Sequence, residues 1–463
     1  KANDPTRPVI FSYPGLVPDA VKATDILSMH YPGVDGTMEQ YGKVTQSFGY
    51  PGMPVIFDEW AHVACYNGFT VKEDPNVRDF WGMSLDRMWQ QAFAADGGLG
   101  GAIWGMIDET FMLPAELPGF NDWWGKIDGK ILPGEYAGRT VGYGEWGIVD
   151  TWRRKKPEFW NTKKAYSPVR VLKTKYESFR PDQALEVPVL NRFDHTDLNE
   201  LRIEWSYKSV RSTLTPPDVP PHTTGSLHVP ISAWDAAEPV LIDFFDRRGL
   251  LIDSEALRRE HGNEGAAVES ASGNVVLSED GGQATVLCPN GVGFRIDKKT
   301  GLFSQIMTGS GTVGFSGPYL NLRTLGKSVM YSSYMMEDHG RDWKLRSLSI
   351  VAAGHEVVVK IAGEYAAIKN VEFTLRIGAD GGLTAAYSVD ATPAGNVREA
   401  GIKFLIDDVF DSLSWKREPY WSVYPLDHLS APEGNVPLYT ASPKSYRLAP
   451  VKAWEDDTKS FFY

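Results

Sequence analysis

Cysteine is nearly absent from this 463-residue chain, with Cys65 and Cys288 the only two. They stand far apart, so they build neither a disulfide framework nor a Cys-x-x-Cys metal signature. Long apolar runs are missing as well, and nothing approaches the ~18 residues that a membrane helix needs. Positive charge is in deficit: 47 Lys and Arg against 59 Asp and Glu give a net charge of −12. That balance argues against a nucleic-acid groove or an anionic membrane surface, since both attract basic patches. No internal repeat and no low-complexity tract is visible. The chain also lacks an initiator Met and a recognisable signal segment. It opens at Lys1-Ala2-Asn3-Asp4-Pro5-Thr6-Arg7-Pro8 as though inside a domain, and stops at Phe461-Phe462-Tyr463 like an apolar strand. The expectation is a piece of a longer polypeptide, so the compartment (bacterial periplasm or exterior, or cytoplasm) stays open.

What is present fits a globular chain of about three domains at ~150 residues each. Aromatics are plentiful, with 15 Trp, 20 Tyr and 21 Phe. Clefts that bind sugars use flat rings, but large β-rich cores consume them too. From residue 1 to about 166, short apolar runs alternate with helical patterns. Pro8 to Phe11, Asp25 to Tyr31, Val55 to Phe57 and Gly101 to Met106 read as four strands. Between the last two, Asn76 to Ala95 carries Phe80, Met83, Leu85, Met88, Trp89 and Ala92 near helical spacing. Such alternation predicts a parallel sheet with helices outside it, and four strands make half of a (β/α)8 barrel. Lys156 to Trp160 opens a closing helix that ends near Tyr166. The stretch Asp108 to Tyr143 is long, rich in Gly and Pro, and carries Trp123-Trp124. Loops of that length are usually functional or disordered. It reads either as the wall of a cleft or as a packed surface excursion.

After Val169 the helical period disappears. Val169 to Leu172, Leu201 to Trp205 and Val240 to Phe245 are closely spaced strands, with the Pro-rich Thr215 to Pro221 joining two of them. This predicts an immunoglobulin-like β-sandwich over 167–262. Gly262 to Gly273 reads as a linker. A larger β-sandwich is expected over 270–463, short of its last strands. Within it, Gly293 to Leu302 gives strand, tight turn and strand, and Val371 to Ile377 alternates before the Asp380-Gly381-Gly382 turn. The fold class expected is thus multidomain, α/β followed by all-β.

The stretch Pro54 to Val63 carries the chemistry. It runs from three apolar residues into Asp58, Glu59, Trp60 and His62. A buried parallel strand reads this way where it reaches a polar cleft at its C-terminal end. In a (β/α)8 barrel those ends hold the catalytic groups. Strand alternation sends Phe57 and Glu59 to one side and Asp58 to the other, and only one side faces the cleft. Glu59 is therefore the candidate nucleophile, with Asp58 bonded to structural neighbours. On the pattern alone, a capping or paired carboxylate is the plainer reading.

Asp58-Glu59-Trp60-Ala61-His62 resembles the Glu-Tyr-Ala-His signature around the nucleophile of glycoside hydrolase family 2 β-galactosidases. Asn3 to Pro8 is similar to the family's Asp-Pro-Ser-Arg-Pro approach to the fifth barrel strand. Thr24-Asp25-Ile26 leading to Tyr31 resembles the next strand, and Gly100 to Trp104 the final one. Tyr143 to Asp150 and the Pro157 to Val169 helix are similar to the barrel's close, and Phe294 to Met307 to the start of the small-chain-type β-sandwich. The resemblance implies retaining hydrolysis of terminal β-galactosides. Glu59 is then the nucleophile, Tyr31 its hydrogen-bond donor, His62 a sugar contact and Trp104 the floor of the sugar subsite. His30 stands where the best-known galactosidases carry methionine. It and Asp108 are further candidate substrate contacts. The plain alternatives are a buried tyrosine for Tyr31, a satisfied structural histidine for His62 and a core tryptophan for Trp104.

The chain departs from the family in what it lacks. The Asn-Glu motif that supplies the general acid/base precedes the Asp-Pro-Thr-Arg-Pro stretch, and so lies outside these residues. Asn199-Glu200 and Asn263-Glu264 both fall beyond the barrel stretch. The family's magnesium ligands cluster around the same motif, so no cofactor is assigned, although the resemblance implies Mg in the parent. The expected partners are a β-galactoside and the missing N-terminal half, with a homo-oligomer allowed and no nucleic acid or membrane. The rival expectations are β-glucuronidase or β-mannosidase activity, or a non-catalytic fragment that completes a barrel with a second polypeptide. Alone, the chain is expected to be inactive. A general acid/base is worth ~10²–10⁴ in rate, and half a barrel leaves an unpaired sheet edge.

Overall fold

The alternation of apolar runs and helical patterns is realised in the computed structural model. It describes residues 4–12, 24–32, 51–63, 77–107, 109–113, 139–144, 147–149, 153, 155–260, 273–325, 336–391, 393, 395, 397–407, 409–410, 412–425 and 430–437. β1 (Leu27–His30), β2 (Val55–Trp60) and β3 (Gly98–Ile103) lie parallel and side by side in chain order. A parallel bridge between Ile10 and Ile26 ties the first apolar run to the start of β1. α1 (Val77–Ala94) joins β2 to β3 in sequence. Its Trp81, Leu85, Met88 and Ala92, spaced three or four apart, are all buried and give it one apolar face.

Two glycines let aromatic rings close over β3. At Gly101 any side chain would take the place of the Trp60 ring. Gly100 holds a left-handed φ of +87°, and the Trp89 ring lies 2.8 Å from where its Cβ would stand. Trp60 is fully buried and its Nε1 donates to the Tyr166 hydroxyl at 3.0 Å. β4 (Glu109–Leu113) and β5 (Arg139–Gly144) pair antiparallel, so the stretch read as a loop begins and ends in a two-stranded ribbon. Trp123-Trp124 lies outside the described residues. α2 (Pro157–Ala165) starts on a proline, whose missing N–H costs nothing in a first turn. At its other end Arg192 donates to the carbonyls of Ala165 at 2.8 Å and Ser167 at 2.9 Å. A guanidinium from the next module thus caps the helix C-terminus.

That module is a two-sheet sandwich. Its strands are β6 (Val169–Val171), β7 (Lys175–Tyr176), β8 (Leu185–Asn191), β9 (Arg202–Tyr207), β10 (Val210–Leu214), β11 (Thr224–Val229), β12 (Val240–Phe245) and β13 (Leu251–Arg259). One sheet runs β10-β9-β12-β13-β7 and the other β11-β8-β6. Every second residue of β8 (Leu185, Val187, Val189) is buried and meets Ile203, Trp205, Ile242 and Phe244 of the opposite sheet in one core. The linker stretch lies outside the described residues except for Gly273.

A second sandwich follows. β14 (Val276–Glu279), β15 (Gln283–Leu287), β16 (Gly293–Asp297), β17 (Leu302–Thr308), β18 (Gly311–Leu325) and β19 (Met336–Asp338) form one antiparallel sheet in chain order. β20 (Lys344–Ala353), β21 (Glu356–Glu364), β22 (Val371–Gly378) and β23 (Leu383–Val389) form the other, and β24 (Val397–Ile406) pairs with β18. Val371, Phe373, Leu375 and Ile377 of β22 are buried, and they share a core with Val286, Phe294 and Ile296. Cys288 lies in this core, where burial pushes its thiol up. Cys65 is outside the described residues.

The chain divides into two compact units, Lys1–Glu264 with Ser412–Tyr463, and Gly265–Asp411. The division therefore cuts the expected 270–463 sandwich at residue 411. β25 (Ser412–Lys416) and β26 (Glu433–Pro437) pair as a ribbon that belongs to the first unit. Polar anchors hold this returning segment. Tyr420 donates to Asp86 at 3.0 Å, Ser422 to Glu255 and Ser430 to Asp79, while Arg417 pairs with Asp79 at 3.1 Å.

Candidate active site

Three neighbouring strand ends converge. Parallel register sets His30 beside Glu59 and Trp60 beside Ile103. Backbone bonds then lock the residues that follow. Tyr31 N–H donates to the Glu59 carbonyl at 2.9 Å, Trp104 N–H to the Trp60 carbonyl at 3.0 Å, and Val63 N–H to the Trp104 carbonyl at 3.2 Å. Tyr31, Glu59 and Trp104 are thereby brought together from separate stretches of sequence.

Both oxygens of Glu59 are engaged. The Tyr31 hydroxyl donates to Oε1, and His30 Nδ1 stands 3.1 Å from Oε2. The other ring nitrogen, His30 Nε2, is 3.2 Å from Asp58 Oδ1. Asp58 in turn accepts from the Ser12 hydroxyl at 2.5 Å and from Ser28. Alternation was expected to send Asp58 and Glu59 to opposite sides, yet one imidazole reaches both. The register shifts between Met29 and His30, and again between Phe57 and Trp60, so the two-residue period is broken there.

His62 is only 4% exposed, with Nδ1 3.1 Å from the Val63 carbonyl and its ring tilted 6.0 Å from that of Tyr31. Burial pushes its imidazole down to about 4, against the opposing pull of the Val63 carbonyl. Above the ordinary value of 6.5 the ring is neutral in both folded and unfolded chains. Below it the unfolded chain takes up a proton that the folded chain refuses. Stability therefore falls as pH drops from 6.5 towards 4, by at most roughly 3 kcal/mol from this group. The expected result is a melting temperature that falls less over this window in His62→Gln than in the wild type. Parallel pH–melting curves for the two proteins would remove His62 as the cause.

Trp104 is 37% exposed just past the end of β3. Asp108 lies outside the described residues. Sequence reasoning missed both serines on Asp58. Ser28 offers no signal through its spacing to His30, because the register shift at Met29/His30 lies between them. Ser12 offers none. Asn199-Glu200 lies in a short 3₁₀ turn beyond the parallel sheet. There the Glu200 carboxylate accepts from Asp197 N–H at 3.0 Å and pairs with Arg247. That glutamate closes a capping box. Among the described residues no group of three or more His, Cys, Asp or Glu side chains is placed to hold a metal ion.

No family model and no curated protein matches the sequence. Among solved structures, an FMN-binding β-glucuronidase from Facaelibacterium prausnitzii L2-6 aligns over 57% of this chain and 37% of its own, at 15% identity and a TM-score of 0.23. A Parabacteroides merdae β-glucuronidase aligns over 80% of this chain and 44% of its own, at 12% identity and a TM-score of 0.23. A β-D-mannosidase from Dictyoglomus thermophilum aligns over 53% of this chain and 24% of its own, at 14% identity and a TM-score of 0.19. The chain spans less than half the length of each. At such scores the alignments establish neither fold nor function for this chain.

Proposed function

We propose that this chain supplies the nucleophile of a retaining β-glycosidase of the family 2 β-galactosidase type, acting on terminal β-galactosides. The observation that carries the reading is the Glu59 carboxylate at the C-terminal end of a parallel strand, engaged through both oxygens, with the partly exposed Trp104 at the end of the neighbouring strand. The parallel β1–β3 sheet with α1 supports half of a (β/α)8 barrel. The β10-β9-β12-β13-β7 and β11-β8-β6 orders support an immunoglobulin-like module after it.

In the first step Glu59 attacks the anomeric carbon while an acid from outside these residues protonates the departing aglycone oxygen. The bond to the aglycone breaks and a glycosyl-enzyme remains. Water then bonds to the same carbon, giving its proton to the former acid, and Glu59 leaves as a carboxylate. Tyr31 donates to Glu59 throughout, and Trp104 offers its face to the apolar side of the sugar.

The test is intact mass and peptide mapping of the parent protein after incubation with an activated 2-deoxy-2-fluoro-β-galactoside, which forms a slowly released glycosyl-enzyme. A label on Glu59 is the expected result. Labelling of Glu59 only by the matching glucuronide or mannoside overturns the sugar. No label with any of the three overturns the glycosidase reading.

A further inference from the structure

Resting on that reading, we propose that Trp81 of α1 is a positioning residue for the candidate site, whose indole N–H holds the bend that follows Glu59. Strand β2 ends at Trp60, and the chain then bends at Ala61, whose φ is +45°. The neighbouring strand end turns in the same sense at Tyr31, with a φ of +47°. Neither residue is glycine, and L side chains disfavour this left-handed region. Such a backbone persists only where its surroundings over-determine it. Here three successive carbonyls are each claimed by a different element. The Glu59 carbonyl accepts from Tyr31 N–H at 2.9 Å, the Trp60 carbonyl from Trp104 N–H at 3.0 Å, and the Ala61 carbonyl from Trp81 Nε1 at 3.0 Å. The third donor comes from the helix, and it acts on the left-handed residue itself. An indole N–H can only donate, so the bond does not depend on any protonation state. Trp81 is 1% exposed and Ala61 3%, which shields the bond from solvent.

The bend decides what the residues on either side of it can do. Glu59 lies two residues before Ala61, and His62 follows directly after it. Past the left-handed turn His62 is buried, with its ring 6.0 Å from that of Tyr31. Val63 N–H then donates to the Trp104 carbonyl at 3.2 Å, which closes the bend back onto the end of β3. Tyr31, Glu59, His62 and Trp104 are thus joined through one short run of backbone, and Trp81 bonds to the middle of it. Without the indole N–H, the Ala61 carbonyl is left buried and unpaired, and the residue is released towards the ordinary extended region. That rotation shifts Glu59 relative to Tyr31 and to a bound sugar. A displacement of ~1 Å at reacting atoms costs up to about 10²-fold in rate.

The experiment uses the full-length parent and the activated 2-deoxy-2-fluoro-β-galactoside, with Trp81→Phe, which keeps an aromatic ring and loses the N–H. Labelling of Glu59 in the wild type comes first, and the matching glucuronide or mannoside takes over if it alone labels. Absence of any label overturns the glycosidase reading and this proposal together. With labelling present, the limiting labelling rate of Trp81→Phe and its kcat per labelled site are expected to fall about tenfold, with a smaller change in KM. Glycine reaches a φ of +45° without the penalty that alanine meets there. Ala61→Gly added to Trp81→Phe is therefore expected to recover part of the lost kcat. A role in stability alone gives a different result, a lower melting temperature with the rate per labelled site unchanged. That result, or a loss confined to KM, overturns the positioning role while leaving the glycosidase reading intact. If Trp81→Phe does not fold, Trp81→benzothienylalanine decides, since that side chain keeps the indole shape and carries sulfur in place of the N–H. Failure of this variant to fold makes the bond a requirement of the fold and overturns the positioning role as well.

Discussion

Glu59→Ala in the full-length parent is expected to lower kcat on an activated aryl β-galactoside by at least about 10⁴-fold. Covalent catalysis divides one hard displacement into two easier ones, and without the carboxylate neither half-reaction has a path. The melting temperature is expected to change little, because Glu59 is partly exposed and its two donors can turn to water. Added azide is expected to restore turnover. The small anion fits the space left by the carboxylate, attacks the anomeric carbon from the face Glu59 used, and expels the aglycone. The product is an α-galactosyl azide, identified by NMR. Asp58→Asn serves as the comparison, since Asp58 is bonded to Ser12 and Ser28. A Glu59→Ala protein within tenfold of wild type, or one that azide leaves silent, would return Glu59 to the status of a structural carboxylate.

The second large effect concerns stability. Lys164 is 7% exposed on α2, and its Nζ donates to Asp253 at 2.7 Å, the Ser254 carbonyl at 2.8 Å and Glu255 at 2.8 Å. Burial alone would pull this ammonium down, and Asp253 and Glu255 more than reverse that, so its proton is held above the usual lysine range. Lys164→Met removes the cation and leaves two buried acids facing each other. Breaking a buried ion pair from one side costs about 3–5 kcal/mol. At roughly 2–4 °C per kcal/mol for a unit of this size, the first unit is expected to melt on the order of 10 °C lower. Adding Asp253→Asn and Glu255→Gln to the same protein is expected to recover much of the loss, because the stranded charges go with their partner. Calorimetry checks both. A Lys164→Met protein that melts within about 2 °C of wild type would mean that water reaches the cluster and screens it.

The local periods explain what could be read in advance. β22 declares itself because Val371, Phe373, Leu375 and Ile377 alternate with Glu372, Thr374 and Arg376. α1 does so through Trp81, Leu85, Met88 and Ala92. The grouping of Tyr31, Glu59 and Trp104 was available from the order of the apolar runs, because parallel strands end on the same side. The shared imidazole was not. It depends on a register shift at Met29/His30 that no local pattern marks. The burial of His62 was hidden for a related reason, since the Tyr31 ring that lies against it belongs to another strand end. The return of the chain at Ser412 was equally invisible. Its anchors are Asp79, Asp86 and Glu255. Their partners on the returning segment lie more than 160 residues later in the chain.

That return has a consequence for how the molecule is made. The first unit is discontinuous, since its two pieces are separated in the chain by Gly265–Asp411. A ribosome adding ~5–20 residues per second needs roughly 7–30 s to cross that insertion. Throughout that time Asp79, Asp86 and Glu255 stand without Ser430, Tyr420 and Ser422. The intervening sandwich draws its core from its own strands, so it can close while the older unit is still waiting. The intervening sandwich can therefore close before the first unit, which carries Glu59, receives its returning segment.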